Sequence, residues 1–201
     1  MSTRHRLFTL CFTLLLALFV LSGCYPKPLK EQAVSGYHST LALTLPGPVD
    51  SLSVPMVISK DYEPYVGGQK LYGNEEGGMR IAIYTSTLDA KALSNQPTVT
   101  PDEVMHQYLL HTLQLATTAV TAKLNAQDLT FQEEPIMIAG HRALHRGMEF
   151  SHEGQAMTAD LIAFHTGQDI WIVIVAYNTY EKNKAQMAEK ILNSIRLQYE
   201  E

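Results

Sequence analysis

Residues 170–176, Ile-Trp-Ile-Val-Ile-Val-Ala, are apolar at every position. A strand points successive side chains to opposite faces, so a sheet wet on one side alternates apolar with polar. An unbroken apolar run is expected only where both faces are covered. The chain must therefore sandwich a central strand between two packed layers, and this requirement narrows its fold more than any other feature.

The partners of that strand can be read from the same alternation. Leu41 to Leu45, Val54 to Ile58, Met79 to Thr85, Leu129 to Ile138, Arg142 to Phe150 and Met157 to His165 are strand candidates. Turns at Gly67-Gly68, Gly77-Gly78, Gly140 and Gly167 separate them. The short spacings from 129 to 176 predict an antiparallel meander. Thr100-Pro101-Asp102-Glu103 sets an N-cap threonine, a proline at the first helical position and a glutamate at the third, the reciprocal cap that satisfies free backbone N–H groups. It predicts a helix from Pro101 to about Leu124, with Val104, Tyr108, Leu109, Thr112, Leu115, Ala116 and Ala119 on its buried face. A second helix is predicted from Asn178 or Thr179 to Ile195, with Met187, Ala188, Ile191 and Leu192 on one stripe. The expected class is α+β: an antiparallel sheet with helices on both faces, an α/β/α sandwich.

The N-terminus reads as an export signal. Arg4, His5 and Arg6 precede an apolar run from Leu7 to Val20, which ends in Leu21-Ser22-Gly23-Cys24. At about 14 residues the run falls short of the roughly 17–25 that span a hydrocarbon core, so cleavage is expected rather than a retained membrane helix. Leu-Ser-Gly-Cys resembles the bacterial lipobox, in which the cysteine thiol takes a diacylglycerol, the chain is cut before it, and the new amino group is acylated, for instance by palmitate. Residues 1–23 are then the signal peptide and 24–40 a lipidated Cys24 with a flexible tether of up to roughly 45 Å at about 3 Å per residue. Residues 41–201 form one domain. The expected location is the cell envelope, facing the periplasm or the surface. Tyr25, rather than Asp, after the cysteine favours the outer membrane if the cell is Gram-negative.

Charge and cysteines exclude several function classes. Without the leader, 13 basic residues face 20 acidic ones, a net charge of −7 with His neutral, so nucleic acid is a poor partner. The chain has two cysteines, Cys11 in the signal and Cys24 at the lipid site. That leaves the mature domain no free thiol for a disulfide, a thiolate metal site or a nucleophile.

From Glu134 to Leu197 the order is a strand, Gly140, a strand ending in Glu149-Phe150, a turn at Gly154 and another strand. Gly167-Gln168-Asp169, the apolar strand and a helix closing on Ile191-Leu192-Asn193-Ser194-Ile195-Arg196-Leu197 complete it. This pattern resembles the Mog1/PsbP-like fold, including the DcrB-type bacterial envelope proteins. The resemblance implies a three-layer α/β/α fold and an accessory role. It carries no binding residue to this chain and implies no cofactor.

Candidate residues are few. His141 and His145, with His165 nearby, form a weak metal set: on a strand, positions 141 and 145 lie about 13 Å apart, against roughly 2 Å per ligand bond. Glu133-Glu134 and Glu75-Glu76 are expected as solvated edge and turn charges. Neither a G-x-S-x-G elbow nor an S-x-x-K is present. Tyr62, Tyr65 and Tyr72 lie in a glycine-rich segment read as a loop between strands, where they would either line a recognition surface or cap the core. Arg142 and Arg146 share a strand face with Leu144 and Met148 and would pair with acidic groups or hold an anion. The expectation is a membrane-anchored envelope lipoprotein without catalysis that engages an envelope protein or a small ligand. The alternative is a metal or small-molecule binder using residues 141–165, and an envelope hydrolase is third.

Overall fold

The computed structural model describes residues 28–53, 59–93 and 100–199. Cys24 and the strand candidate Val54 to Ile58 lie outside them. In chain order the elements are β1 (Lys30–Ser35), β2 (Ser39–Leu45), β3 (Asp50–Leu52), a short 3-10 turn (Glu63–Tyr65), β4 (Val66–Glu76) and β5 (Met79–Leu88). They continue with α1 (Ala90–Leu93), α2 (Pro101–Lys123), β6 (Gln127–Ile138), β7 (His141–His152), β8 (Gln155–Thr166), β9 (Asp169–Asn178), α3 (Lys182–Asn193) and β10 (Arg196–Tyr199).

The apolar run lies within β9, at the centre of a seven-stranded antiparallel sheet ordered β3-β4-β5-β9-β8-β7-β6. Both of its faces are buried. Ile170, Ile172, Ile174 and Ala176 join one apolar core, while Trp171, Val173, Val175 and Tyr177 join the other. Each fully buried side chain of this size contributes about 1.5–3 kcal/mol relative to exposure, so neither cover can be lost without losing the strand. From β6 to β9 the sheet is the expected meander. The turns at Ala139-Gly140 (φ 49° and 85°) and Glu153-Gly154 (φ 51° and 76°) have both central residues in the left-handed region, the two-residue geometry that matches strand twist.

The two covers differ from the expectation of helices on both faces. One is α2, whose Val104, Met105, Tyr108, Leu109, Leu113 and Ala116 pack on the sheet. The other is mostly a second sheet, three-stranded and ordered β1-β2-β10, with α3 beside it. Val34, Leu41, Leu43 and Leu45 supply more of this core than Ala188 and Ile191 of α3 do. The architecture is therefore sheet-rich. The correction follows from β1 and β10, whose short mixed sequences carry no strong period: Lys30–Ser35 pairs with β2 along its whole length, inside the stretch read as tether. The expected tether over 24–40 therefore does not hold from Lys30 onward, where the chain is strand.

A buried carboxylate joins the two sheets. Asp169, at the start of β9, is 0 % exposed. It accepts hydrogen bonds from the His38 amide (2.8 Å), the Tyr37 amide (3.3 Å) and the Ser39 hydroxyl (2.9 Å), and its other oxygen lies 2.8 Å from His38 Nδ1. Trp171 Nε1 donates to the same Ser39 hydroxyl at 3.0 Å. The β1–β2 turn fits against β9 only because residue 36 is glycine: a Cβ there would stand 2.6 Å from Trp171 and 2.7 Å from the Ser39 carbonyl. Removing Asp169 strands several buried donors, so Asp169→Ala should cost about 3–5 kcal/mol in urea unfolding. Asp169→Asn keeps one acceptor for the three donors on its inner oxygen and should cost clearly less. Equal losses in the two variants would show that the carboxylate does not act through those bonds.

Candidate functional site

α2 begins at the cap expected from its residues. The Thr100 amide donates to Glu103 Oε2 at 2.7 Å and the Glu103 amide to Thr100 Oγ1 at 3.3 Å. The Thr100 amide and the Thr100 hydroxyl, which donates to the same Oε2 at 2.9 Å, hold the Glu103 carboxyl below its usual range. The cap aims the first two turns of α2 across β8 toward the β6–β7 hairpin, leaving a groove of about 660 Å³. Asp102, Glu103, His106 and Gln107 line it from the helix, and Pro135, Met137, Arg142 and Leu144 from the hairpin. Leu109 and His165 complete it from the core side and from β8.

His165 is the least satisfied polar group there. Its Nδ1 is buried with no hydrogen-bond partner among the described residues, and its Nε2 lies 3.7 Å from Asp102 Oδ1, beyond bonding distance. Burial pushes its pKa down; the Asp102 carboxylate opposes this, and His106 and His141 nearby add to the lowering. The ring is consequently neutral at neutral pH, with one donor and one acceptor nitrogen. The groove thus combines apolar surface, a neutral imidazole with unused hydrogen-bonding capacity, and the Arg142 cation at its hairpin wall. Such a lining can hold and orient a ligand. Among the described residues it brings no hydroxyl, thiol or amine nucleophile to the imidazoles.

The expected site residues separate. Arg142 lines the groove, but Arg146 does not face a ligand: it is 8 % exposed, gives Nε and Nη2 to Glu133 Oε2 (3.0 and 2.7 Å) and Nη1 to Thr117 Oγ1 (2.7 Å), and fastens the hairpin to α2. Tyr62 and Tyr65 pack beside the α2 core, with the Tyr62 ring 5.0 Å from that of Tyr108. Tyr72 packs with the opposite core and donates to the Ser35 carbonyl at 3.0 Å. They share no surface, because the segment read as a loop is largely β4.

The histidines separate likewise. His145 lies on the face of Ala143 and Ile162, the three-stranded-sheet side, whereas His165 lies on the α2 side, so the two cannot share an ion. Both ring nitrogens of His145 are engaged, Nε2 at 2.8 Å from Asp160 and Nδ1 at 3.1 Å from Glu134. Among the described residues, no group of three or more His, Cys, Asp or Glu is arranged to hold a metal. Glu133 and Glu134 do point to opposite faces of an edge strand, but each has a basic partner on β7. At the sheet junction His38, Ser39 and Asp169 match the residue types of a hydrolytic triad with different wiring: the Ser39 hydroxyl, 3 % exposed, engages Asp169 and Trp171 rather than the His38 ring.

Asp102, His106, Asp160 and Asp169 were not singled out from the sequence. The i, i+4 spacing of Asp102 and His106 on a capped helix was the one available signal, and it acquires meaning only when His165 is placed opposite.

The hydrogen bond to Asp160 raises the His145 pKa to about 8, against the opposing effect of burial, with Glu134 adding to the rise. A raised histidine pKa stabilises the fold fully below the unfolded value near 6.5, and this contribution is lost as pH climbs through about 8. The His145 side chain is partly solvated, so the contribution is on the order of 1 kcal/mol. Urea midpoints of the wild type should therefore fall toward those of His145→Gln between pH 6.5 and 8.5, and a gap constant over that range would contradict the pairing.

No protein-family model matches the chain, and no curated protein matches it significantly. Among solved structures it is similar to LpqN of Mycobacterium tuberculosis, described as involved in cell envelope biogenesis, at 14 % identity and TM-score 0.43 over 84 % of this chain and 91 % of that one. It is similar to the PsbP protein (CyanoP) of Synechocystis sp. PCC 6803 at 9 % identity and TM-score 0.48 over 88 % and 96 %. It is also similar to PA94, a protein of unknown function from Pseudomonas aeruginosa, at 12 % identity and TM-score 0.34 over 72 % and 92 %. The architecture described above rests on this chain's own strand pairings.

Proposed function

We propose that the chain is an exported cell-envelope lipoprotein, held at a membrane through Cys24, whose domain is a binding module with the groove between α2 and the β6–β7 hairpin as its site. The observation that carries this reading is Leu21-Ser22-Gly23-Cys24 at the end of a short apolar run, with the first strand of the body starting six residues later at Lys30. Two or more acyl chains give stable anchoring, since each buried methylene contributes about 0.8 kcal/mol. No helix among the described residues is long and apolar enough to cross a membrane. The groove supports a binding role because its polar groups converge on an apolar pocket without a nucleophile–base pair. The partner is an envelope protein or a small ligand, and no cofactor is invoked.

Cys24→Ala should move the protein from the membrane pellet to the soluble fraction, while the wild type stays in the pellet through a carbonate wash. A variant that remains in the washed pellet would refute the anchor. For the groove, photo-crosslinking residues placed at Gln107 and Met137, on its two walls, should give one common adduct in cells that Gln186, exposed on α3, does not. The same adducts at all three positions, or none at any, would remove the groove as the site.

A further inference from the structure

We infer that the groove takes a short apolar peptide with free ends, its carboxylate on Arg142, its ammonium on Asp102 and a backbone amide on the His165 ring between them. The inference rests on the groove being the binding site proposed above and adds the chemistry of its occupant.

Strand register brings the three groups together. Met137 pairs with Arg142 across β6 and β7, and Ala143 pairs with Phe164 across β7 and β8. Ala143 and Phe164 belong to the core beneath the three-stranded sheet. The alternate positions one residue away, Arg142 and His165, therefore fall on the α2 face, where both line the groove with Met137. Asp102 meets the β8 end of this row from the first turn of α2, its Oδ1 3.7 Å from His165 Nε2. The sequence of groups is thus cation, imidazole, carboxylate. They do not satisfy one another: among the described residues Arg142 has no hydrogen bond or ion pair, and the contact between Asp102 and His165 is too long to be a hydrogen bond.

The charges select the ligand. A helix N-terminus ordinarily attracts anions, but here the reciprocal cap occupies the Thr100 and Glu103 amides, and Asp102 and Glu103 make the end acidic. The helix wall accordingly receives a cation and the hairpin wall an anion. A singly charged ligand would answer one wall and lay its apolar body against the unpaired charge of the other. A zwitterion answers both. Between its charges it must also offer His165 Nε2 a neutral hydrogen-bonding group, which a free amino acid lacks and a peptide amide supplies. Leu109, Leu144 and Met137 give apolar side chains a surface, and the groove volume of about 660 Å³ suits a ligand of that size.

Dileucine would be titrated calorimetrically into the full-length protein, beside N-acetyl-dileucine, which lacks the ammonium, and dileucine amide, which lacks the carboxylate. Dileucine should bind at least about tenfold more tightly than either capped form. Arg142→Gln should remove the preference for a free carboxylate and keep that for a free ammonium, and Asp102→Asn should do the reverse. Both side chains are exposed, so neither change disturbs the core. No binding of dileucine at millimolar concentration, capped forms that bind as well, or variants that keep both preferences would overturn the inference. Should the cellular adducts at Gln107 and Met137 form nonetheless, the groove stands as the site and only its peptide occupant falls. Loss of binding together with those adducts removes the groove itself.

Discussion

A carboxylate without solvent contact is tolerable only where several donors replace its water, and Asp169 meets that condition by drawing on two sheets at once. The donors come from the β1–β2 turn, while the carboxylate sits at the entrance to the most buried strand of the large sheet. Neither element can shift without stranding a polar group in the interior. The three-stranded sheet is therefore fixed in position and angle, not merely collapsed onto apolar surface, which alone is non-directional. Trp171 extends the junction into the core, since its indole nitrogen bonds the same Ser39 hydroxyl while its ring packs among apolar side chains.

On the opposite face α2 is set by different means. Its N-terminus is fixed by the reciprocal cap at Thr100 and Glu103, and its middle by Arg146, which ties Thr117 to Glu133. Between those two fastenings the sheet is not fully covered beside the hairpin, and the groove is the space that remains. Its chemistry follows from the same geometry. His165 is on the buried face of β8, far enough under α2 to be neutral, yet its nearest carboxylate lies outside bonding distance. An unsatisfied buried nitrogen is a cost that ordinary folding tends to remove, and His165 Nδ1 carries that cost among the described residues, at the wall of the groove.

Much of the framework was legible because it depends on local periodicity. The run 170–176 implied two covers; the glycine-punctuated alternation from 129 to 176 implied the meander; Thr100 to Glu103 implied the start of α2. The failures share one cause. β1, β4 and β10 are not apolar enough to announce themselves, and they are strands because neighbours distant in sequence offer them a pairing edge. The missed β4 placed Tyr62, Tyr65 and Tyr72 on one imagined loop, whereas they lie on two faces. Arg146 was offered to an anion because its partners, Thr117 and Glu133, are 29 and 13 residues away. The histidines at 141, 145 and 165 looked like a set only while the face of each remained unassigned.

By itself the sequence determined the double-faced central strand and the cap and extent of α2, and it offered the lipobox-like motif that ends at Cys24. Each depends on side-chain type and on spacing within a few residues, where backbone geometry alone dictates the outcome. Tertiary structure decided what covers the second face, that Lys30–Ser35 is a strand, on which face each histidine lies and where the groove forms. Those features depend on long-range pairings, whose energy is defined only once the strands are brought together.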